Sequence, residues 1–152
     1  MRGHFRPNLI QDRRGTVLIE SLLVLPLLML ITFGVFEYGN LMWQRQQLQV
    51  GVRDAARYWS RCRPTFNPCS QSIARNLAFY GDPSGGGSTR VPGWDDSSEL
   101  TINLASPPLS PDETSVIIVE GKVAYQGSPL FAAVFSESLT LRYWHTERYI
   151  GW

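Results

Sequence analysis

The run TVLIESLLVLPLLMLITFGVF, residues 16–36, limits this chain more than any other feature. Its one ionisable residue is Glu20 and its one proline is Pro26. As a helix it would be about 31 Å long, against a hydrocarbon core of about 30 Å. A helix packed on a soluble core keeps a polar face, and this run has none. The reading is a membrane-spanning segment. Arg2, Arg6, Arg13 and Arg14 precede it against Asp12 alone, and Glu37 follows it at once. The positive-inside rule therefore places residues 1–15 in the cytoplasm and the rest outside, in a single pass. Arg45, Arg53, Arg57, Arg61 and Arg63 on the far side weaken that asymmetry without reversing it.

The helical pattern continues past the apolar run. Residues 37–61 contain no proline, and Leu41, Leu48, Val52, Ala55, Ala56 and Trp59 recur at helical spacing. Gln44, Arg45, Gln47, Arg53, Asp54 and Arg57 fall mostly off that stripe. One helix is expected from about Thr16 to Arg61, apolar all round at first and amphipathic later. Pro64 disfavours helical geometry at Arg63 and sets the stop. SQSIARNLAFYG reads as a short helix capped by Ser70 and ended by Gly81, with Ile73, Leu77 and Tyr80 on its face. Residues 81–96 read as a flexible surface loop.

Three segments of period two then predict strands with one buried face. They are ELTINL, SVIIVEGKVAY and SLTLRYWHTERY. Leu100, Ile102 and Leu104 share a face in the first, and Ile117, Val119, Val123 and Tyr125 in the second. Leu139, Leu141 and Tyr143 share one in the third. Three strands alone are marginal, so the amphipathic half of the helix is expected to cover their apolar face. The fold class is α+β: a long N-terminal helix packed on a small three-stranded antiparallel sheet, with one short extra helix. Its divisions are a leader (1–15), a transmembrane helix (16–36), an amphipathic extension (37–62) and an extracytoplasmic head (63–152). SPLFAAVF, residues 128–135, is too short to span a membrane. A core contribution is favoured for it over a contact with a partner subunit or the membrane surface.

Chemistry is sparse. Net charge is +1, which gives no general basic surface for nucleic acid. No phosphate-binding loop, nucleophile elbow or zinc-protease motif occurs, so no enzyme and no cofactor are expected. Asp95 and Asp96 read as solvating a loop. Cys62 and Cys69, the only two cysteines, flank a loop outside the membrane, where a disulfide is expected and two free thiols are the alternative. No third ligand lies near them for zinc.

The start of the apolar run resembles the processing site of type IV prepilins and pseudopilins. Basic residues lead to Gly15, and the fifth residue of the apolar segment is Glu20. The resemblance implies cleavage between Gly15 and Thr16 by a prepilin peptidase on the cytoplasmic face. Gly15 leaves that bond accessible, and the arginines hold the leader at an anionic surface. Cleavage would free the Thr16 amine one helical turn from Glu20, which could pair with it, above all between neighbouring subunits. The alternatives are that Glu20 snorkels at the membrane edge, or that a secretory signal peptide is cut after Gly34.

Residues 13–58 further resemble the TadE-like family, minor pilin-like proteins of the tight-adherence (Flp) pilus machinery. The basic-Gly leader with its Glu, the VLPLL proline at Pro26 and the AARY of residues 55–58 carry the likeness. VAYQGSPLF and LTLRYWHTER are similar to the family's final strands. The chain departs from the pattern at Ser21, where such sites often have an aromatic residue. The resemblance implies a pseudopilin of the bacterial inner membrane that helps assemble, prime or regulate a pilus for adhesion or secretion. It implies the peptidase, other pilin or pseudopilin subunits, the inner-membrane assembly platform and the membrane as partners. Pro26 would kink or soften the helix for its exit from the bilayer, or be an ordinary membrane-helix proline. An uncleaved membrane scaffold and a membrane-anchored extracellular binding module remain the other readings.

Overall fold

In the computed structural model, the described residues are 13–63, 69–103, 115–134 and 138–150. The elements are α1 (Arg13–Ser60), α2 (Gln71–Phe79), a 3-10 turn (Ser97–Glu99), β1 (Leu100–Ile102), β2 (Val116–Ala124), α3 (Pro129–Val134) and β3 (Thr140–Arg148). The strands form one antiparallel sheet in the order β1-β2-β3, which is the expected α+β architecture. The chain divides into two compact units at Tyr38 and Gly39.

Helix α1 starts three residues before Thr16 and stops one before Arg61. Its last turn tightens, with the Arg61 and Cys62 amides donating to the carbonyls of Tyr58 and Trp59. Pro64, expected to set the stop, lies outside the described residues. In the second unit the expected stripe is buried from Leu48 on: Leu48, Val52, Ala55 and Ala56 are 0% exposed and Trp59 is 1%, while Leu41 is half-buried against that core.

The sheet receives that stripe because of one glycine. Strand β2 buries Ile117, Val119 and Val123 and turns Val116, Ile118 and Lys122 outward. Between the buried residues sits Gly121, opposite Leu100 on β1 and Tyr143 on β3. A Cβ there would lie 2.6 Å from Val52 Cγ2 and 3.0 Å from Leu48 Cδ1. The missing side chain lets α1 approach the sheet. Strand β3 alternates as expected around buried Leu141, but Leu139 is exposed. Strand β1 is shorter than ELTINL, because Glu99 joins the 3-10 turn. Leu104 lies outside the described residues.

Three expectations change. Helix α2 has the Ser70 cap and ends before Gly81, which sits at φ 75°. Its buried residues, however, are Ala74, Ala78 and Phe79 rather than Ile73, Leu77 and Tyr80. Small side chains let α2 press onto α1 at Gly51, where a Cβ would collide with the Ala78 carbonyl oxygen. The loop of residues 81–96 is no free surface loop in its second half. Val91 and Trp94 are both 0% exposed, Phe79 and Trp94 meet edge to face at 5.0 Å, and Arg90 pairs with Asp54 at 2.7 Å. Gln44, expected off the stripe, is 1% exposed. Its amide can be buried because every polar end finds a partner, as described next.

Candidate functional site

In the first unit each described residue from 15 to 36 is exposed on α1. This is the stretch long and apolar enough to cross a membrane. Two of its hydroxyls are satisfied within the helix: Ser21 donates to the Val17 carbonyl and Thr32 to the Leu28 carbonyl, each at 2.8 Å. Pro26 sits inside the helix, where its ring leaves one carbonyl of the preceding turn without its usual donor. Glu20 shares a shallow face with Val17, Ser21, Val24, Leu25 and Leu28. Gly15 and Thr16 lie in the first turn of the same helix, so Glu20 is one turn beyond Thr16.

In the second unit the residues nearest the apolar run form a polar clamp. Gln44 donates to the Gln126 carbonyl at 2.8 Å and to Asn40 Oδ1 at 3.2 Å, and accepts from the Gln126 amide at 3.3 Å. Asn40 donates to the same carbonyl and to the Tyr125 hydroxyl. This clamp fixes the end of the sheet where β2 leaves for α3. A helical glutamine four residues after an asparagine gives no sequence signal for it, since both residue types normally face water.

The other end of α1 is fastened twice. Cys62 and Cys69 are joined by a disulfide with Cα atoms 5.4 Å apart. Tyr149, 3% exposed, donates its hydroxyl to the Cys62 carbonyl, and the Ile150 amide donates to the Ser60 carbonyl. Burial pushes the Tyr149 phenol up from its ordinary range, against an opposing pull from Arg63. Arg53 stacks over the Tyr143 ring at 5.8 Å and donates to its hydroxyl.

Asp96 does more than solvate a loop. Its carboxylate accepts from the Ser98 amide at 2.8 Å while Glu99 accepts from the Asp96 amide, a reciprocal cap, and the Ser98 amide and hydroxyl hold the Asp96 carboxyl below the usual range. The D-S-S-E spacing was the signal that could have revealed it. Asp82 is lowered similarly by the Ser84 hydroxyl and amide. Both groups are turn-builders. Among the described residues no three metal-ligating side chains converge.

Residues 128–134 correct the core expectation. The segment is the short helix α3, and none of its residues is buried. Phe131 alone packs on the core, edge to face with Tyr125 at 5.4 Å. Leu130 is 53% exposed and Val134 74%. Phe135 lies outside the described residues.

Residues 15–57 match the family model for TadE-like proteins, which shows the resemblance over that segment. The match begins at Gly15 and ends within the amphipathic half of α1. No curated protein and no solved structure matches the chain.

Proposed function

We propose, with the TadE-like segment of residues 15–57 as the premise, that this chain is a pseudopilin-like subunit of a Tad pilus machinery. The TadE-like family suggests association with that pilus and with the membrane. In the finer reading the α1 segment of residues 16–36 anchors the protein in the bacterial inner membrane, with the head in the periplasm. A prepilin peptidase removes the leader after Gly15. The freed Thr16 amine of one subunit then pairs with Glu20 of a neighbour, and the helices pack into an assembly that primes or regulates the pilus. The protein catalyses no reaction and uses no cofactor; its partners are the peptidase, other pilin-like subunits and the inner-membrane platform.

The observation that carries this reading is Glu20. It is the lone carboxylate in the exposed apolar run of residues 16–36, one turn after Gly15–Thr16, where the family match begins. A charge in a membrane helix costs about 2.5–3.5 kcal/mol on insertion scales, so it calls for a partner. An amine created by cleavage supplies one and also fixes the register between subunits, because an offset leaves the charge unpaired.

Intact-mass analysis of the membrane-extracted protein tests the reading. The leader carries net +3 of a chain at +1, so the processed form begins at Thr16 and carries −2. That form is expected with the peptidase present and absent without it. A full-length mass alone would sink the cleaved reading. It would favour an uncleaved scaffold of the same machinery, a reading supported by the unbroken helix running from Arg13 through Gly15 and Thr16.

A further inference from the structure

Strand β3 forms one edge of the sheet, and its outer side meets no backbone partner among the described residues. Tyr125 donates its amide to the Leu139 carbonyl, and Tyr149 donates to the Ser115 carbonyl. The odd-numbered residues of β3 therefore bond to β2, and the even-numbered ones, 140 to 148, turn their amides and carbonyls outward. Only beyond the strand is that row taken up, where the Ile150 amide donates to the Ser60 carbonyl. The opposite edge, β1, is three residues long, whereas β3 has nine. A long open edge is a template for another strand. The side chains say which strand fits. Thr140, Arg142, Trp144, Thr146 and Arg148 lie on the outer face and are exposed, Trp144 by 67%. Laid antiparallel on itself and centred at Trp144, β3 sets Thr140 opposite Arg148, Arg142 opposite Thr146 and Trp144 opposite Trp144. Every residue of the strand then finds a partner, and no arginine faces another. Centring at His145 opposes Arg142 to Arg148, and centring at Arg142 opposes it to itself. Like charges directly opposite are destabilising. On the inner face Tyr143 falls opposite His145. Leu141 falls opposite Glu147, whose carboxylate is already engaged at 3.3 Å by His145 of its own strand.

We propose that β3 is a self-pairing edge: two copies of the chain join β3 to β3 antiparallel about a two-fold axis at Trp144, fusing their two sheets into one. The inference stands on the second unit alone. It holds whether or not the leader is removed, so its failure leaves the reading of Glu20 untouched. The full chain in detergent is the test material. Its two native cysteines are joined, so an added thiol is the only free one. Directly opposed residues on such an edge have Cα atoms about 5.5 Å apart, within disulfide reach. Residues four positions out of register are about 14 Å apart and beyond it. Under copper phenanthroline the Trp144→Cys chain should crosslink to itself. Arg142→Cys and Thr146→Cys chains should crosslink when mixed and not when oxidised separately. Thr146→Pro removes an outward amide and no bond to β2, so it should keep the fold and weaken the dimer about tenfold or more, read by light scattering across a dilution series. A parent chain that stays monomeric overturns the proposal. So does a dimer that survives Thr146→Pro without a crosslink at position 144, since it is joined elsewhere. Separate crosslinking of Arg142→Cys or Thr146→Cys as efficient as that of the mixture overturns the register. In membranes, adducts of the Trp144→Cys chain to a different polypeptide in place of the dimer overturn self-pairing.

Discussion

Replacing Gly51 by alanine sets two effects against each other. In a helix interior the change alone should stabilise, since glycine is about 0.8–1.0 kcal/mol worse than alanine there. At Gly51 the new methyl meets the Ala78 carbonyl oxygen and lies 2.7 Å from Trp94 Cζ3. The first is backbone of α2 and the second belongs to a ring with 0% exposure, so neither can turn aside. Overpacking of that sort costs about 1–3 kcal/mol, and an immovable neighbour puts the cost in the upper part of that range. The net expectation for Gly51→Ala is a loss of about 1–2 kcal/mol, or a Tm roughly 4–15 °C lower for a head of this size. Gly39→Ala is the companion. It lies in the same helix with nothing within 4 Å of the added methyl, so it should keep the propensity gain alone. Both are measured by thermal and urea unfolding of the full chain in detergent, followed by tryptophan fluorescence. If Gly51→Ala raised Tm as much as Gly39→Ala, the close crossing of α2 over α1 would be wrong.

Gln44→Leu removes three hydrogen bonds from a buried amide and leaves the Gln126 amide short of its acceptor. It should cost about 1–3 kcal/mol, read as a lower urea midpoint with an unchanged slope. Cys62→Ser with Cys69→Ser opens a loop whose ends are 7 residues apart in sequence. By chain entropy the loss is about 2.5 kcal/mol, and a reducing agent should lower the Tm of the parent but not of the double variant. Tyr149 has a raised pKa in the folded head. Its contribution is complete below about pH 10, the unfolded value, and is lost as pH rises through the higher folded value. Tyr149→Phe should therefore flatten the alkaline arm of the stability profile, measured by urea midpoints at stepped pH.

Much of this was legible because burial repeats with the backbone period. The stripe from Leu48 to Trp59 and the inward residues of β2 follow from spacing alone, and both are buried. What escaped were contacts made by residues that spacing ranks low. Ala74 and Ala78 look weaker than Ile73 and Leu77 as core residues, yet they are the buried pair, because Gly51 offers close approach and only small side chains can use it. Gln44 looks like surface until Gln126, 82 positions away, meets both ends of its amide. Val91 and Trp94 sit among glycine, proline and aspartate, a composition that signals loop but says nothing about whether the loop folds inward. In the candidate site the apolar run and Glu20 were plain. The exposure of α3 was not, since an apolar octapeptide reads the same whether it enters a core or leaves it.

The two fastenings of α1 in the head have a mechanical consequence. One is the clamp of Asn40 and Gln44 on Gln126, and the other is the Ser60–Ile150 and Cys62–Tyr149 pair. Gln44 and Ser60 are about 24 Å apart along the helix axis. A tension applied along α1 is thus handed to β2 at Gln126 and to β3 at Ile150, which lie beyond opposite ends of that antiparallel pair. Their ladder is loaded in shear, with its bonds strained together, and does not open one rung at a time. A head built this way resists being stripped from its own helix when that helix is pulled.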